Sequence, residues 1–473
     1  MNCFKMKNEK NWIGLIVVMM INFSSLTGQS EFTLNDAINY ALESHVSMRT
    51  ADLEGLDAEW AYKEGLAIGL PKITLETRYN YSYIRPKVVI EDFISPILVG
   101  VLNQTSLAPE LQGFGGDSPT TVEAAFTRRH QVTTGLNMSV FVFNGNYIKG
   151  LKVGKMFMDL AKKQKILSAQ QVKTNVTNAF NNVIVTQKNM KTIDNNINNV
   201  EKLLLETSAL YENGFAEALD VDRLLLSKEL LTSERLKLDR LLEVSKNVLK
   251  YQMAFPLGDP IEIIENLEND VDIILLQNID LKEEIDLSKR PEHVLLKDAI
   301  ELDKWDLKRI KTGYLPSVYA SASLEENLQR DGLFNSNESG WLPNGVVGLR
   351  ANIPIYDGGD TRAKIERKKI VLEKREIELA EFNRALILQV FNARTELINA
   401  KTNLESAKRT LNLSQKIFDT TQIKYTNGVG SSLELTQAES GLYDAQANHT
   451  NAMYDILVAQ SALDIATGEI NKK

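Results

Sequence analysis

Catalysis and metal binding both need polar side chains brought together at short, regular spacings, and this chain offers few such groupings. Its four histidines, His45, His130, His293 and His449, lie far apart and share no ligand spacing. Gly358-Gly359 could open a phosphate-cradling loop, but neither GxGxxG nor GxxxxGK(S/T) occurs, so the pair reads as a strand-to-helix turn. The Asp and Glu residues fall mostly on polar helix faces, and no two stand out as general acid and base. Ser431-Ser432-Leu433-Glu434 has the spacing of a capping box, in which serine and glutamate satisfy free backbone N–H groups at a helix start. An acidic residue there also suits the helix dipole. The expectation is a protein that is not an enzyme and carries no metal or cofactor.

The elements that must position these residues begin after a targeting segment. Lys5, Lys7 and Lys10 form a basic start, Trp12 to Phe23 an apolar core, and Ser24-Ser25-Leu26-Thr27-Gly28 a cleavage region. This is the layout of a secretory signal peptide over 1–28, with a core short for a membrane span. Its removal takes away three lysines and one glutamate, so the formal charge of −8 becomes −10. That acidity argues against a nucleic-acid partner. Cys3, the single cysteine, lies ahead of the apolar core, where lipid attachment would not use it, so the mature chain has no thiol chemistry. No apolar run of about 18 residues follows, which leaves a soluble exported protein or one that crosses a membrane as strands.

The chain then repeats itself. Leu70-Pro71 matches Leu315-Pro316 at an offset of 245. Phe143-Asn144-Gly145-Asn146 matches Tyr356-Asp357-Gly358-Gly359 at 213, and Tyr211-Glu212-Asn213-Gly214 matches Tyr425-Thr426-Asn427-Gly428 at 214. Phe255-Pro256-Leu257-Gly258 falls near Ile465-Ala466-Thr467-Gly468 at 210. The change between the first two offsets leaves about 32 extra residues in the Pro-, Gly- and Ser-rich stretch from Arg85 to Arg129, which reads as a long loop.

Each half offers two strands. Ile73, Leu75, Thr77, Tyr79, Tyr81 and Tyr83 alternate with polar residues, as do Leu136, Met138, Val140 and Val142. The second half offers Val318, Ala320, Ala322 and Leu324, then Leu349, Ala351, Ile353 and Ile355. Tyrosines near strand ends suit a membrane interface. Four strands cannot close a barrel, for which about eight is the practical minimum. Either the sheet keeps open edges or several chains pool their strands.

Long helices lie between the strands. Val176, Ala179, Val183, Thr186, Met190, Ile193, Ile197, Val200, Leu204, Thr207 and Tyr211 keep a 3-4 spacing, and Leu404, Ala407, Leu411, Ser414, Phe418, Thr421 and Tyr425 keep it in the same register. That is a heptad seam; the first helix would run roughly 90 Å. The expected organisation is a signal peptide over 1–28, a first repeat over 29–258, a linker over 259–280 and a second repeat over 281–473. The first repeat holds helices at about 34–68, 147–210 and 217–255 and strands at about 72–84 and 131–143. The second holds helices at about 290–313, 360–424 and 432–467 and strands at about 316–325 and 345–356.

In this ordered set the chain resembles the TolC-like outer-membrane efflux and secretion channels. The resemblance rests on the Leu-Pro turns at Pro71 and Pro316, and on Pro354-Ile355-Tyr356-Asp357-Gly358-Gly359 running into Thr361-Arg362-Ala363-Lys364-Ile365. It also rests on the Tyr-Gly helix breaks before Ser431, Leu433 and Leu435, and on the closing Ala466-Thr467-Gly468. It implies a mostly α fold with an internal tandem duplication. Each protomer of a homotrimer would add four strands to a twelve-stranded transmembrane β-barrel, and long antiparallel helical hairpins would form an α-barrel. The implied function is the outer-membrane exit duct of a tripartite efflux pump or type I secretion system in a Gram-negative bacterium, with a large periplasmic portion and outer-membrane lipid around its barrel. Its implied partners are a periplasmic adaptor (membrane fusion) protein and an inner-membrane RND or ABC-type pump.

The resemblance also implies roles for single residues. The hairpin tips at Gly214, Gly428 and Gly430 become a periplasmic gate. Tyr425 and Asp220 match its contact pair, Gly430 stands where some members carry arginine, and Glu434 and Gln437 occupy two pore-facing positions that are usually acidic. Gly145, Gly358 and Gly359 are strand-to-helix turns. A soluble exported coiled-coil scaffold or adaptor remains the alternative.

Overall fold

The computed structural model describes residues 30–91, 97, 101, 121–125, 127–265, 267–281, 283–334 and 340–469. The expected signal segment and most of the 85–129 loop lie outside the described residues. The elements run β1 (Ser30–Phe32), α1 (Leu34–Ser44), α2 (Val46–Ala67), β2 (Lys72–Tyr81), β3 (Val88–Glu91), β4 (Thr121–Ala124) and β5 (His130–Asn144). They continue through α3 (Gly145–Glu212), α4 (Ala218–Met253), β6 (Ile261–Ile263), α5 (Leu267–Leu275), α6 (Pro291–Lys311), β7 (Ser317–Arg330), β8 (Leu342–Asn352), α7 (Asp360–Thr426) and α8 (Ser432–Thr467). No described helix is long and apolar enough to cross a membrane.

The chain divides into two compact units. One, within Glu59–Met158 and Glu301–Glu373, holds an antiparallel sheet of order β2-β5-β7-β8. Its register aligns Ile73 with Met138, Met138 with Ala322, and Ala322 with Val347. The neighbouring row aligns Leu75, Leu136 and Leu324 in the same way. Successive side chains alternate faces, so these residues and Leu349 share one apolar face, while Arg78, Thr133, Asn327 and Arg350 share the other. Thr133 Oγ1 donates to Asn327 Oδ1 at 2.7 Å on that polar face. Ile73, Leu75, Val347 and Leu349 are exposed, and β2 and β8 are left as open edges.

Two expectations change in this unit. A register shift between Phe141 and Phe143 sets Phe143, not Val142, opposite Val318. The extra residue of such a bulge takes no ladder partner and moves the following residue onto its face. The 85–129 loop is not wholly irregular, because β3 pairs with β4 and Lys87 bonds Glu123 at 2.8 Å.

The other unit draws on the described parts of Met1–Ala58, Asp159–Ile300 and Lys374–Lys473. Val176, Phe180, Leu249, Met253, Leu397 and Ile456 are fully buried in its core, each burial contributing about 1.5–3 kcal/mol. Thr33 and Asp36 form a reciprocal capping box that starts α1. The single helix expected over 34–68 is broken at His45, whose backbone turns extended and whose Nδ1 accepts from the Ser47 N–H at 3.1 Å. That bond satisfies an amide the new helix start would leave open.

The stretch expected as a linker, 259–280, is built into this core. β6 pairs parallel with β1, and α5 buries Leu267, Val271 and Ile274 at helical spacing. An aromatic cluster of Phe32, Tyr40 and Phe255, with centroids 5.5–6.0 Å apart, closes over the same region.

The closing Ala466-Thr467-Gly468 ends α8 beside Arg290. The buried guanidinium donates to the carbonyls of Ile465 at 2.9 Å and Ala466 at 3.0 Å, satisfying acceptors the helix end leaves free. Gly468 has φ 77, and a Cβ there would meet the Lys289 carbonyl oxygen at 2.6 Å. Gly468→Ala should therefore lower the thermal unfolding midpoint. Left-handed backbone alone costs about 1–2 kcal/mol, and an unchanged midpoint by calorimetry would contradict this account.

Candidate functional site

The repeated Asn-Gly breaks form two turns of the same design. Gly214 and Gly428 take φ values of 77 and 72, the left-handed conformation that glycine adopts without a Cβ penalty. Gly214 N–H donates to Tyr211 O at 2.9 Å and Phe215 N–H to Leu210 O at 2.8 Å. At the second turn Gly428 N–H donates to Tyr425 O at 3.0 Å and Val429 N–H to Lys424 O at 2.9 Å. Both are Schellman ends, which close the free carbonyls of α3 and α7. Asn213 and Asn427 add the same side-chain bond, each to the carbonyl four residues back at 2.7 Å. Phe215 and Val429 follow the glycines and are left exposed, at 81% and 79%.

Beneath the turns Leu203, Leu224, Phe418, Tyr425, Leu435 and Leu442 pack into one cluster. Tyr425 and Asp220 do not make the hydrogen bond that the resemblance implies. The Tyr425 hydroxyl donates to Thr207 Oγ1 at 3.3 Å, while the Asp220 carboxylate accepts from the Glu217 N–H at 3.1 Å and caps α4. Asp220 still acts through space: burial first, and the Asp220 charge in addition, push the Tyr425 phenol up against the opposing Thr207 bond.

Ser431 Oγ accepts from the Glu434 N–H at 3.2 Å, the serine half of the expected capping box. Glu434 and Gln437 are both exposed on α8. Gly430 has a local reason to be small, since a Cβ there would lie 3.0 Å from the Tyr425 amide nitrogen and 3.1 Å from Lys424 Cβ. An arginine at that position would press on the turn itself.

Three cross-links between the hairpins escape sequence reasoning. Arg223 on α4 donates to Ser432 Oγ on α8 at 2.6 Å. Asn196 on α3 donates to Gln446 on α8 at 2.7 Å. Ser227 on α4 donates to Glu439 Oε2 at 3.1 Å, and Tyr443 donates to the other oxygen at 2.6 Å. Glu439 is 1% exposed, and burial pushes its carboxyl up despite both bonds. The clue was its place in the seam, between Leu435 and Leu442, where an apolar residue belongs. Above these links an open cleft of about 850 Å³ is lined by Leu210, Phe215, Asp220, Arg223, Tyr425 and Ser432.

The strand-helix residues fall at element ends. Pro71 and Pro316 directly precede β2 and β7, and Gly145 starts α3 against Thr312. Asp357 accepts from the N–H groups of Gly359 at 3.0 Å and Thr361 at 2.9 Å. Gly358-Gly359 thus serves as a turn capped by its own neighbour. Among the described residues no group of three His, Cys, Asp or Glu is placed to hold a metal.

The chain thus carries an antiparallel sheet with one exposed apolar face in one unit and helices ending in paired Schellman turns in the other. Residues 309–469 match the family model for outer membrane efflux proteins. The alkaline protease secretion protein AprF of Pseudomonas aeruginosa is 22% identical over 186 residues, which is 39% of this chain and 38% of that protein. Over the whole fold, the solved structure of CusC aligns with a TM-score of 0.71 at 16% identity, covering 92% of this chain and 91% of that one. The outer membrane protein VceC of Vibrio cholerae aligns at 0.67 and 15% identity, covering 92% and 96%. Sequence and fold both resemble outer membrane efflux channels.

Proposed function

We propose that the chain is the passive outer-membrane duct of an efflux or secretion assembly, carried by one observation, the exposed apolar face of its open-edged sheet. In water that face and both edges are liabilities. In a membrane they are satisfied if three chains pool four strands each into one closed barrel. A soluble scaffold would leave Ile73, Leu75, Val347 and Leu349 in water. The mature chain follows a signal peptide over 1–28 and arose as a tandem duplication, and the likeness of the two Schellman turns supports that history.

The paired turns form the periplasmic gate, with the Arg223–Ser432 and Tyr425–Thr207 bonds holding the hairpins together, Asp220 capping α4, and Glu434 and Gln437 facing the pore. A periplasmic adaptor docks at these tips, and an inner-membrane pump of RND or ABC type supplies the energy. The duct catalyses no reaction. Its contribution to selectivity is pore charge and gating.

The test is conductance. The full chain should extract only with detergent and open channels in planar bilayers; extraction into plain buffer would overturn the reading. Arg223→Ala combined with Tyr425→Phe removes two links between the hairpins and should raise single-channel conductance. Unchanged conductance in the double variant would assign those contacts to folding alone.

A further inference from the structure

In the strand-bearing unit, three lysines converge on one tryptophan. Lys308 Nζ lies 4.2 Å from the Trp305 ring centroid, Lys149 5.4 Å and Lys152 5.7 Å. None of the three makes an ion pair among the described residues. The neighbouring carboxylate, Asp306, is already held by Arg309 at 2.7 Å and Lys368 at 3.0 Å. Lys308 at the end of α6 suits that helix's dipole, but Lys149 and Lys152 stand in the opening turns of α3, where the dipole already contributes positive charge. Helix stability therefore does not account for the arrangement. The ring face attracts each ammonium, and an anion held among the three would offset their mutual repulsion.

With the end of β5 at the hydrocarbon edge, Lys149 falls within the headgroup layer and Lys152 reaches it along its stem. Lys149 and Lys152 follow Asn144, the last residue of β5, by five and eight positions, or about 7 and 12 Å of helix rise. Trp305 and Lys308 lie just ahead of the turn that leads into β7. The headgroup layer of a bilayer occupies about 5–8 Å beyond each side of the hydrocarbon. Tryptophan concentrates at that level, and lysine stems reach back toward it.

We infer that Trp305, Lys149, Lys152 and Lys308 form a docking site for the phosphate headgroup of an anionic phospholipid at the periplasmic edge of the barrel. This rests on the membrane reading above. The indole offers a flat platform at the interface, and the three ammonium groups neutralise the phosphodiester without a competing carboxylate. Each lysine near an anionic lipid surface contributes about 1 kcal/mol, which is about a fivefold change in affinity.

The experiment is native mass spectrometry of the full chain in detergent, titrated with phosphatidylglycerol or with phosphatidylcholine of the same acyl chains. The wild type should prefer phosphatidylglycerol, and K149Q/K152Q/K308Q should lose affinity about fivefold per lysine, with K149R/K152R/K308R retaining it. Equal binding of the two lipids, or a glutamine variant that binds like wild type, overturns the site. Displacement of the lipid by an equal concentration of inorganic phosphate would assign the cluster to a free ion and overturn it too. Conductance of the same variants in phosphatidylcholine bilayers keeps the outcomes apart, because a failed lipid site leaves channels intact and a failed channel reading does not.

Discussion

Val347→Arg should abolish recovery of the protein in the outer-membrane fraction, whereas Val346→Arg, one residue earlier, should be tolerated. Both valines lie on β8 and both are exposed, at 86% and 53%. They differ in the face they occupy. Val347 stands opposite Ala322, in the row that contains Met138 and Ile73, while Val346 stands opposite Ser323 on the polar face. An arginine on the lipid face near the midplane costs about 2–4 kcal/mol in a transmembrane barrel, and a trimer would bear it three times. On the polar face the same side chain meets water. Cell fractionation with heat-modifiability on gels reads the difference, and equal behaviour of the two variants would mean that the apolar face does not meet lipid.

Glu439→Gln should raise the thermal midpoint at pH 8 and flatten its dependence on pH. Burial lifts the Glu439 carboxyl above its ordinary value of 4.5, so the folded tip holds that proton more tightly than the unfolded chain does. Stability is then full below the ordinary value and falls as pH rises through the window up to the raised one. A glutamine cannot ionise, fills nearly the same volume, and can still engage Ser227 and Tyr443. The gain should grow as pH rises above the ordinary carboxyl range, because only the wild type then carries a buried charge. Wild type and variant should converge near pH 4. A wild-type midpoint that stays level from pH 5 to 8 would count against this account.

Much of the architecture was legible because it is periodic. The seam from Val176 to Tyr211, with its echo from Leu404 to Tyr425, marks long helices through local spacing alone. Asn-Gly after tyrosine marks both breaks for a stereochemical reason. The alternation in β2 and β8 gave the two faces of the sheet. What stayed hidden depends on distant partners. Nothing near Ser30 announces a parallel ladder with Ile261, and nothing near Phe141 announces the bulge that puts Phe143 on the apolar face. The 3-4 spacing of Leu267, Val271 and Ile274 was present, but the segment is short enough to pass as a linker. At the tip, the charge of Asp220 reaches Tyr425, yet the Glu217 amide takes its hydrogen bond, because a local cap outcompetes a remote partner.

The two open edges of the sheet carry a genetic consequence. In the proposed ring, β2 of one chain must meet β8 of the next, so every subunit is needed twice. A chain with a sound β2 but a ruined β8 would still join a partner and then stop the ring from closing. Co-expressed with wild type in equal amounts, such a chain would leave only about one trimer in eight free of it, since random mixing of three gives that fraction. Loss of export would then be inherited as a dominant trait, and its severity would follow the ratio of the two chains.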